Sequence, residues 1–137
     1  MNEEIILKSE DGVGIITLNR PERLNALTYN IVKKMNDFLD KCESDDDIKC
    51  VIIEGAGEKA FCAGGDVVSL RKQVLDEGGP PTELSEKFFY DEYLLNYKIN
   101  NFKKPYIALI DGVTMGGGVG VSMHGSCLLY TSDAADE

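Results

Sequence analysis

Two glycine-rich loops constrain this chain more than any other feature of it. Phe61-Cys62-Ala63-Gly64-Gly65-Asp66 follows a compact apolar run at 50–53, and Met115-Gly116-Gly117-Gly118-Val119-Gly120 follows another at 104–110. Each leads toward a stretch of helical character. Where a loop opens a helix, the first N–H groups lack intrahelical acceptors, and glycine lets a ligand approach them closely. Two such loops in one chain can aim two donors at a single oxygen. Gly65 and Gly117 are the candidate donors, although tight turns alone would account for the same glycines.

The rest of the chain reads as a repeated order of strand, loop and helix, with no sequence repeat at fixed period. Residues 5–9 and 13–19 are two short strands split by Asp11-Gly12, a hairpin turn signal. Thr28 is the candidate N-cap of a helix in which Val32, Met35, Phe38, Leu39 and Cys42 recur at helical spacing, ending in Ser44-Asp45-Asp46-Asp47. The run at 50–53 is a buried strand feeding the first glycine loop, with residues 61–66 read as loop. A short helical stretch follows, then the breaker Gly78-Gly79-Pro80-Pro81, then a longer helix over about 82–101. The run at 104–110 is a further buried strand, and the second glycine loop reads as strand, turn and helix start. The spacing predicts an α/β fold forming one domain over residues 1–126.

Composition excludes several functions. A net charge of -10 argues against a nucleic-acid partner, which relies on clustered Lys and Arg. No run approaches the roughly 18 apolar residues of a membrane span, and the opening Met1-Asn2-Glu3-Glu4 is acidic where a signal or transit peptide is basic. Cys42, Cys50, Cys62 and Cys127 have no CxxC spacing, and His124 is the one histidine, so neither zinc nor a disulfide framework is expected.

Several side chains compete for a chemical role. Glu92 lies on the helical stripe through Leu84, Phe88, Leu95 and Ile99, where a carboxylate needs a partner or a water-facing edge. His124 and Ser122 sit two residues apart and so face different sides of a helix, which favours a structural histidine. Cys62 has no base in view and reads as a small core residue. Gly55-x-Gly57-x-x-Ala60 mimics a dinucleotide fingerprint, but residues 61–66 stand where its helix should begin.

Asn19-Arg20-Pro21 with Leu24-Asn25-Ala26-Leu27, then Ala60 to Asp66, then Met115-Gly116-Gly117-Gly118 occur in the order found in the crotonase superfamily, which residues 5–126 resemble. The resemblance implies a spiral of β-β-α units, incomplete at its C-terminal turns and helices, with an extended groove for coenzyme A. It assigns the oxyanion hole for a thioester carbonyl to the backbone N–H groups of Gly65 and Gly117. Arg23, Leu24, Ala26 and Ala63 would lie along the coenzyme A, with Arg20 and Arg23 as local cations for its phosphates. No separate cofactor is implied, since coenzyme A is part of the substrate; a homo-oligomer is left open.

Within that superfamily, Phe88 through Asn96, Lys104-Pro105-Tyr106 and the run 114–125 are most similar to the 3-hydroxyisobutyryl-CoA hydrolases. That likeness implies thioester hydrolysis, a step of valine breakdown, with Glu92 and Gly117 contacting the hydroxyacyl substrate. Hydratases of the superfamily carry a catalytic glutamate two residues after the third glycine, where this chain has Gly120. Hydration or isomerisation is the competing expectation, and a non-catalytic coenzyme A-binding or interface piece is a third. The likeness points to mitochondria, a location the acidic opening does not itself support. Residues 127–137 depart from the pattern before the Pro-Glu segment that supplies the acid-base glutamate. They read as a tail foreign to the family, and the chain alone is expected to be inactive.

Overall fold

The computed structural model describes residues 3–79, 83–123, 125 and 127–130. Strands β1 (Ile5–Glu10) and β2 (Val13–Leu18) form an antiparallel hairpin. Its turn residues Asp11 and Gly12 have φ of 51° and 81°, the paired left-handed geometry that matches the twist of a two-residue hairpin. β2 pairs in parallel with β3 (Cys50–Gly55), β3 with β5 (Tyr106–Ile110) and β5 with β7 (Cys127–Tyr130), so the main sheet runs β1-β2-β3-β5-β7. A second layer pairs β4 (Ala60–Cys62) with β6 (Val113–Thr114), and Leu27 joins its edge through a parallel bridge to Gly65.

The helices complete a spiral. Each turn gives one strand to the main sheet and one extended piece to the second layer before entering a helix: α1 (Tyr29–Ser44) after Leu27, α2 (Val67–Asp76) and α3 (Glu83–Asn100) after β4, and α4 (Gly117–Met123) after β6. Thr28 caps α1, its hydroxyl accepting the Ile31 N–H at 3.2 Å. Val32, Met35, Phe38, Leu39 and Cys42 are all buried, as their spacing predicts. Burying side chains of this size is worth about 1.5–3 kcal/mol each, and that term, more than helix propensity, holds α1 on the sheet. Parallel register stacks Gly14, Val51 and Tyr106 in one buried rung and Ile16, Ile53 and Ala108 in the next. α1 packs closely at Gly14, since a Cβ there would lie 2.7 Å from Cys42 Sγ.

One sequence expectation changes. Residues 60–62 are strand β4 rather than loop, and 113–114 form its partner β6; pieces this short show no alternation and exist because they pair with each other. The first four residues of the 127–137 segment form β7, in register with β5 from Ile107 to Ile110. Pro80 and Pro81 of the breaker, Thr82, His124, Ser126 and residues 131–137 lie outside the described residues. No helix among the described residues is long and apolar enough to cross a membrane.

Candidate functional site

The loop from Arg20 to Leu27 is laced to the strand end at 63–66. Ala63 N–H donates to Leu24 O at 3.0 Å, Leu27 N–H to Gly64 O at 2.7 Å, and Asp66 N–H to Leu27 O at 2.8 Å. Leu24 and Asn25 bend the loop with φ of 53° and 56°. Asn25 is fully buried and holds that bend: its Oδ1 accepts the Arg20 N–H at 2.8 Å, while its Nδ2 donates to Ala56 O and Ala60 O, each at 2.9 Å. Arg23 stays exposed, and Leu24 is 39% exposed beside it. Of the residues read as lining coenzyme A, Leu24 and Ala63 are therefore joined directly, and Arg23 and Ala26 follow on the same turn through the Ala26 N–H to Arg23 O bond at 3.1 Å.

Arg20 is not the free cation the sequence reading made of it. Its guanidinium donates to Asp66 Oδ2 at 2.9 Å and to Ala26 O at 2.8 Å and sits 3.7 Å from Glu4, with 12% of the side chain exposed. It braces the loop instead of facing a phosphate. Burial alone would raise the Asp66 carboxyl, but the Ser69 N–H and hydroxyl and the Arg20 guanidinium outweigh it and hold the group below its ordinary value.

The two glycine loops meet across the spiral. Met115 N–H donates to Cys62 O at 3.1 Å, which sets the second loop beside the first. Gly64, at φ 112°, could not carry a side chain there without strain, and its Cβ would lie 3.6 Å from Gly117 N. A Cβ on Gly117 would in turn lie 3.3 Å from Gly65 N, 3.1 Å from Leu27 Cδ1 and 2.9 Å from Glu92 Oε1. One small volume is thus faced by Gly65, Gly117 and the Glu92 carboxylate. Among the described residues, neither the Gly65 N–H nor the Gly117 N–H has a protein acceptor. Gly118 fits flush on the backbone of Cys62, with no room for a Cβ.

Glu92 is half-buried between Phe88 and Leu95, and burial raises its carboxyl above the usual carboxylate value. A carboxyl with a raised folded pKa contributes stability that is complete below its unfolded value and lost as pH rises through the folded value. Glu92→Gln keeps the neutral shape. Its Tm by calorimetry should therefore exceed wild type at about pH 7, with the gap closing toward about pH 4, near the ordinary glutamate value. An offset of the same size at both pH values would mean that burial of the charge is not its source.

Other sequence candidates fall away on geometry. The Cys62 thiol is buried and pushed up to about 11 by that burial, which keeps it protonated at neutral pH. Ser122 is buried with its hydroxyl donating to Gly118 O at 2.7 Å, a bond back along its own helix. After Gly57 the chain enters β4, so no dinucleotide-type helix follows. No group of three or more metal-ligating side chains comes together among the described residues. Asn25 and Asp66 were missed as organising residues; the adjacent Leu24-Asn25 pair carried a signal, since Asn tolerates the left-handed bend.

Residues 13–135 match the enoyl-CoA hydratase/isomerase family. This chain belongs to that family. Its curated relatives include 3-hydroxyisobutyryl-CoA hydrolase, mitochondrial, of Danio rerio, 48% identical over 93% of this chain and 32% of the relative. The Homo sapiens protein of the same name is 47% identical over 94% of this chain and 32% of its own. Among solved structures, a carnitinyl-CoA dehydratase from Mycobacterium thermoresistibile superposes with a TM-score of 0.87 at 42% identity, over 94% of this chain and 37% of that one. An enoyl-CoA hydratase from Rhodobacter sphaeroides gives 0.87 at 34% identity, over 93% and 37%. The chain therefore spans about a third of the length of the relatives it matches, and its spiral is the crotonase fold, incomplete.

Proposed function

We propose that the chain is the amino-terminal part of an acyl-CoA thioester hydrolase that converts 3-hydroxyisobutyryl-CoA to 3-hydroxyisobutyrate and coenzyme A. The observation that carries this reading is the convergence of two N–H groups without protein acceptors, those of Gly65 and Gly117, beside the half-buried Glu92 carboxylate. The thioester oxygen would accept both N–H groups, which strengthen their hold as charge develops on it during attack by water. Glu92 would accept a hydrogen bond from the acyl hydroxyl. Arg23, Leu24, Ala26 and Ala63 would line the coenzyme A. Relatives of the same name, at 47–48% identity, support the hydrolase over the hydratase. So does Gly120, which offers no carboxylate where the hydratases resembled by this chain carry one.

In this reading the base that takes the proton from water lies in the two-thirds of the relatives' length that this chain does not span. The 137 residues alone would hold the oxyanion but turn nothing over. The deciding assay gives the full-length protein 3-hydroxyisobutyryl-CoA and crotonyl-CoA. Release of free coenzyme A from the first is expected; hydration of the second without thioester cleavage would replace the hydrolase by a hydratase. A non-catalytic role would show as tight coenzyme A binding with neither reaction.

Glu92→Ala tests the acyl contact. It should lower kcat/KM for the hydroxyacyl thioester by about 10- to 100-fold, the worth of a hydrogen bond to a charged group, while isobutyryl-CoA, which lacks the hydroxyl, loses much less. Equal losses for both thioesters would assign Glu92 a structural role.

A further inference from the structure

The buried face of α1 is apolar at every position but one. Asn36 stands in it between Met35 and Phe38 and is 6% exposed. A polar group buried among apolar side chains is costly unless it is hydrogen-bonded. Its Nδ2 donates across to α3, to Asp91 O at 3.1 Å, while its Oδ1 is buried with no hydrogen-bond partner among the described residues. An unpartnered buried oxygen costs stability. The Asp91 carbonyl, for its part, does not depend on this donor: inside α3 it already accepts the N–H four residues on, and its second lone pair takes Asn36. Stability therefore does not explain Asn36, and a leucine would suit the same apolar face.

What the bond does follows from where it lands. Asp91 O belongs to the planar peptide group that carries the Glu92 N–H, and Glu92 Oε1 lies 2.9 Å from the place a Cβ on Gly117 would take. Burial, and then the neighbouring Asp91 carboxylate, raise the Tyr29 phenol above its ordinary value, so a second α1 side chain reaches the same residue. Further along the two helices, Asp40 and Lys98 pair at 2.9 Å with Asp40 exposed, and such pairs hold little. The apolar contacts of Phe88 and Leu95 with the core are non-directional. The Asn36 bond is directional, its length confined to a range of about 0.5 Å, and it ties the turn carrying Glu92 to α1. Fixing the register of packed elements is the best-attested use of a lone buried polar group.

We propose that Asn36 is a positioning residue: by pinning the peptide between Asp91 and Glu92 it fixes where the Glu92 carboxylate stands against Gly117, and so how strongly the site favours a hydroxylated acyl group. This rests on the hydrolase reading above and on the role given there to Glu92. Asn36 touches no substrate and acts through Glu92.

The test compares the full-length protein with Asn36→Leu, alone and combined with Glu92→Ala, on 3-hydroxyisobutyryl-CoA and isobutyryl-CoA. Asn36→Leu should lower kcat/KM about three- to tenfold for the hydroxylated thioester and less than about twofold for the other, with Tm within a few degrees of wild type. In the Glu92→Ala background it should change either value less than about twofold, because nothing is left for it to position. Equal losses on both thioesters, no loss on either, or the same selective loss without Glu92 would each overturn the proposal. If Asn36→Leu fails to fold, Asn36→Ala takes its place with the same expected split. Crystal structures of the full-length protein and of the variant test the placement without turnover. A Glu92 carboxylate displaced from Gly117 in the variant would support the proposal even if the assay showed the full-length protein to be a hydratase; a carboxylate left in place would overturn it even if the hydrolase reading held.

Discussion

Gly117→Ala should lower kcat/KM for thioester hydrolysis by the full-length protein about 100-fold while leaving its Tm within a few degrees of wild type. The added methyl would stand 3.3 Å from Gly65 N and 2.9 Å from Glu92 Oε1, in the seat proposed for the carbonyl oxygen. The N–H of residue 117 is still present in this variant, so the loss measures exclusion of the oxygen. Gly117→Pro adds loss of the donor to the same exclusion, because its Cβ enters the same volume. Proline is tolerated at the first position of a helix, where Gly117 stands in α4, but it removes the donor itself. Loss of one oxyanion donor costs about 100- to 1,000-fold in kcat, so Gly117→Pro should lose at least as much as Gly117→Ala. A loss below about threefold in Gly117→Ala, with the fold intact, would mean that the substrate oxygen sits elsewhere.

Asn25→Ala should be the most destabilising single change at the loop proposed to line the coenzyme A. The residue is fully buried, and its carboxamide satisfies Arg20 N, Ala56 O and Ala60 O at 2.8–2.9 Å. Truncation strands three backbone groups, each costing about 1–3 kcal/mol. It also leaves alanine at φ 56°, which an ordinary side chain adopts at a further cost of about 1–2 kcal/mol. With partial relaxation a total of about 3–5 kcal/mol is expected, the range of exceptional mutations and a large share of the 5–15 kcal/mol typical of a folded domain. Urea unfolding of the full-length protein gives the value, and Asn25→Gly divides it: glycine removes the backbone strain but not the stranded groups, so it should recover about 1 kcal/mol. If Asn25→Ala and wild type unfold within about 1 kcal/mol of each other, water replaces the carboxamide and the loop is not held by it.

The parts of this fold that could be read in the sequence are those whose period is longer than their neighbours' influence. The Asp11-Gly12 hairpin and the α1 stripe from Val32 to Cys42 fall where the sequence places them, because turn chemistry and an apolar face of about three turns each dominate locally. β4 and β6 could not be read this way, since three residues and two carry no alternation and their only reason to be extended is each other. Arg20 shows the limit for charges: sequence gives the cation but not its anion, and Asp66, 46 residues away, closes the pair. The candidate site divides along the same line. Glu92 could be picked out because a carboxylate interrupts an apolar stripe. The meeting of Gly65 with Gly117 follows from strand pairing across the spiral, which no local spacing encodes; only the ordered motifs of the family pointed to it.

The proposed oxyanion donors come from two adjacent turns of the spiral, one just past β4 and one just past its partner β6. Their approach therefore follows from backbone pairing between the two turns, at the strand spacing of about 4.8 Å, and not from any side chain. The clamp is in effect a ruler cut into the backbone. Drift in the side chains of α3 around Glu92 can reshape the proposed acyl contact without moving either mark on that ruler. The chemistry of the carbonyl can thus be inherited whole while the chemistry of the acyl chain is free to vary.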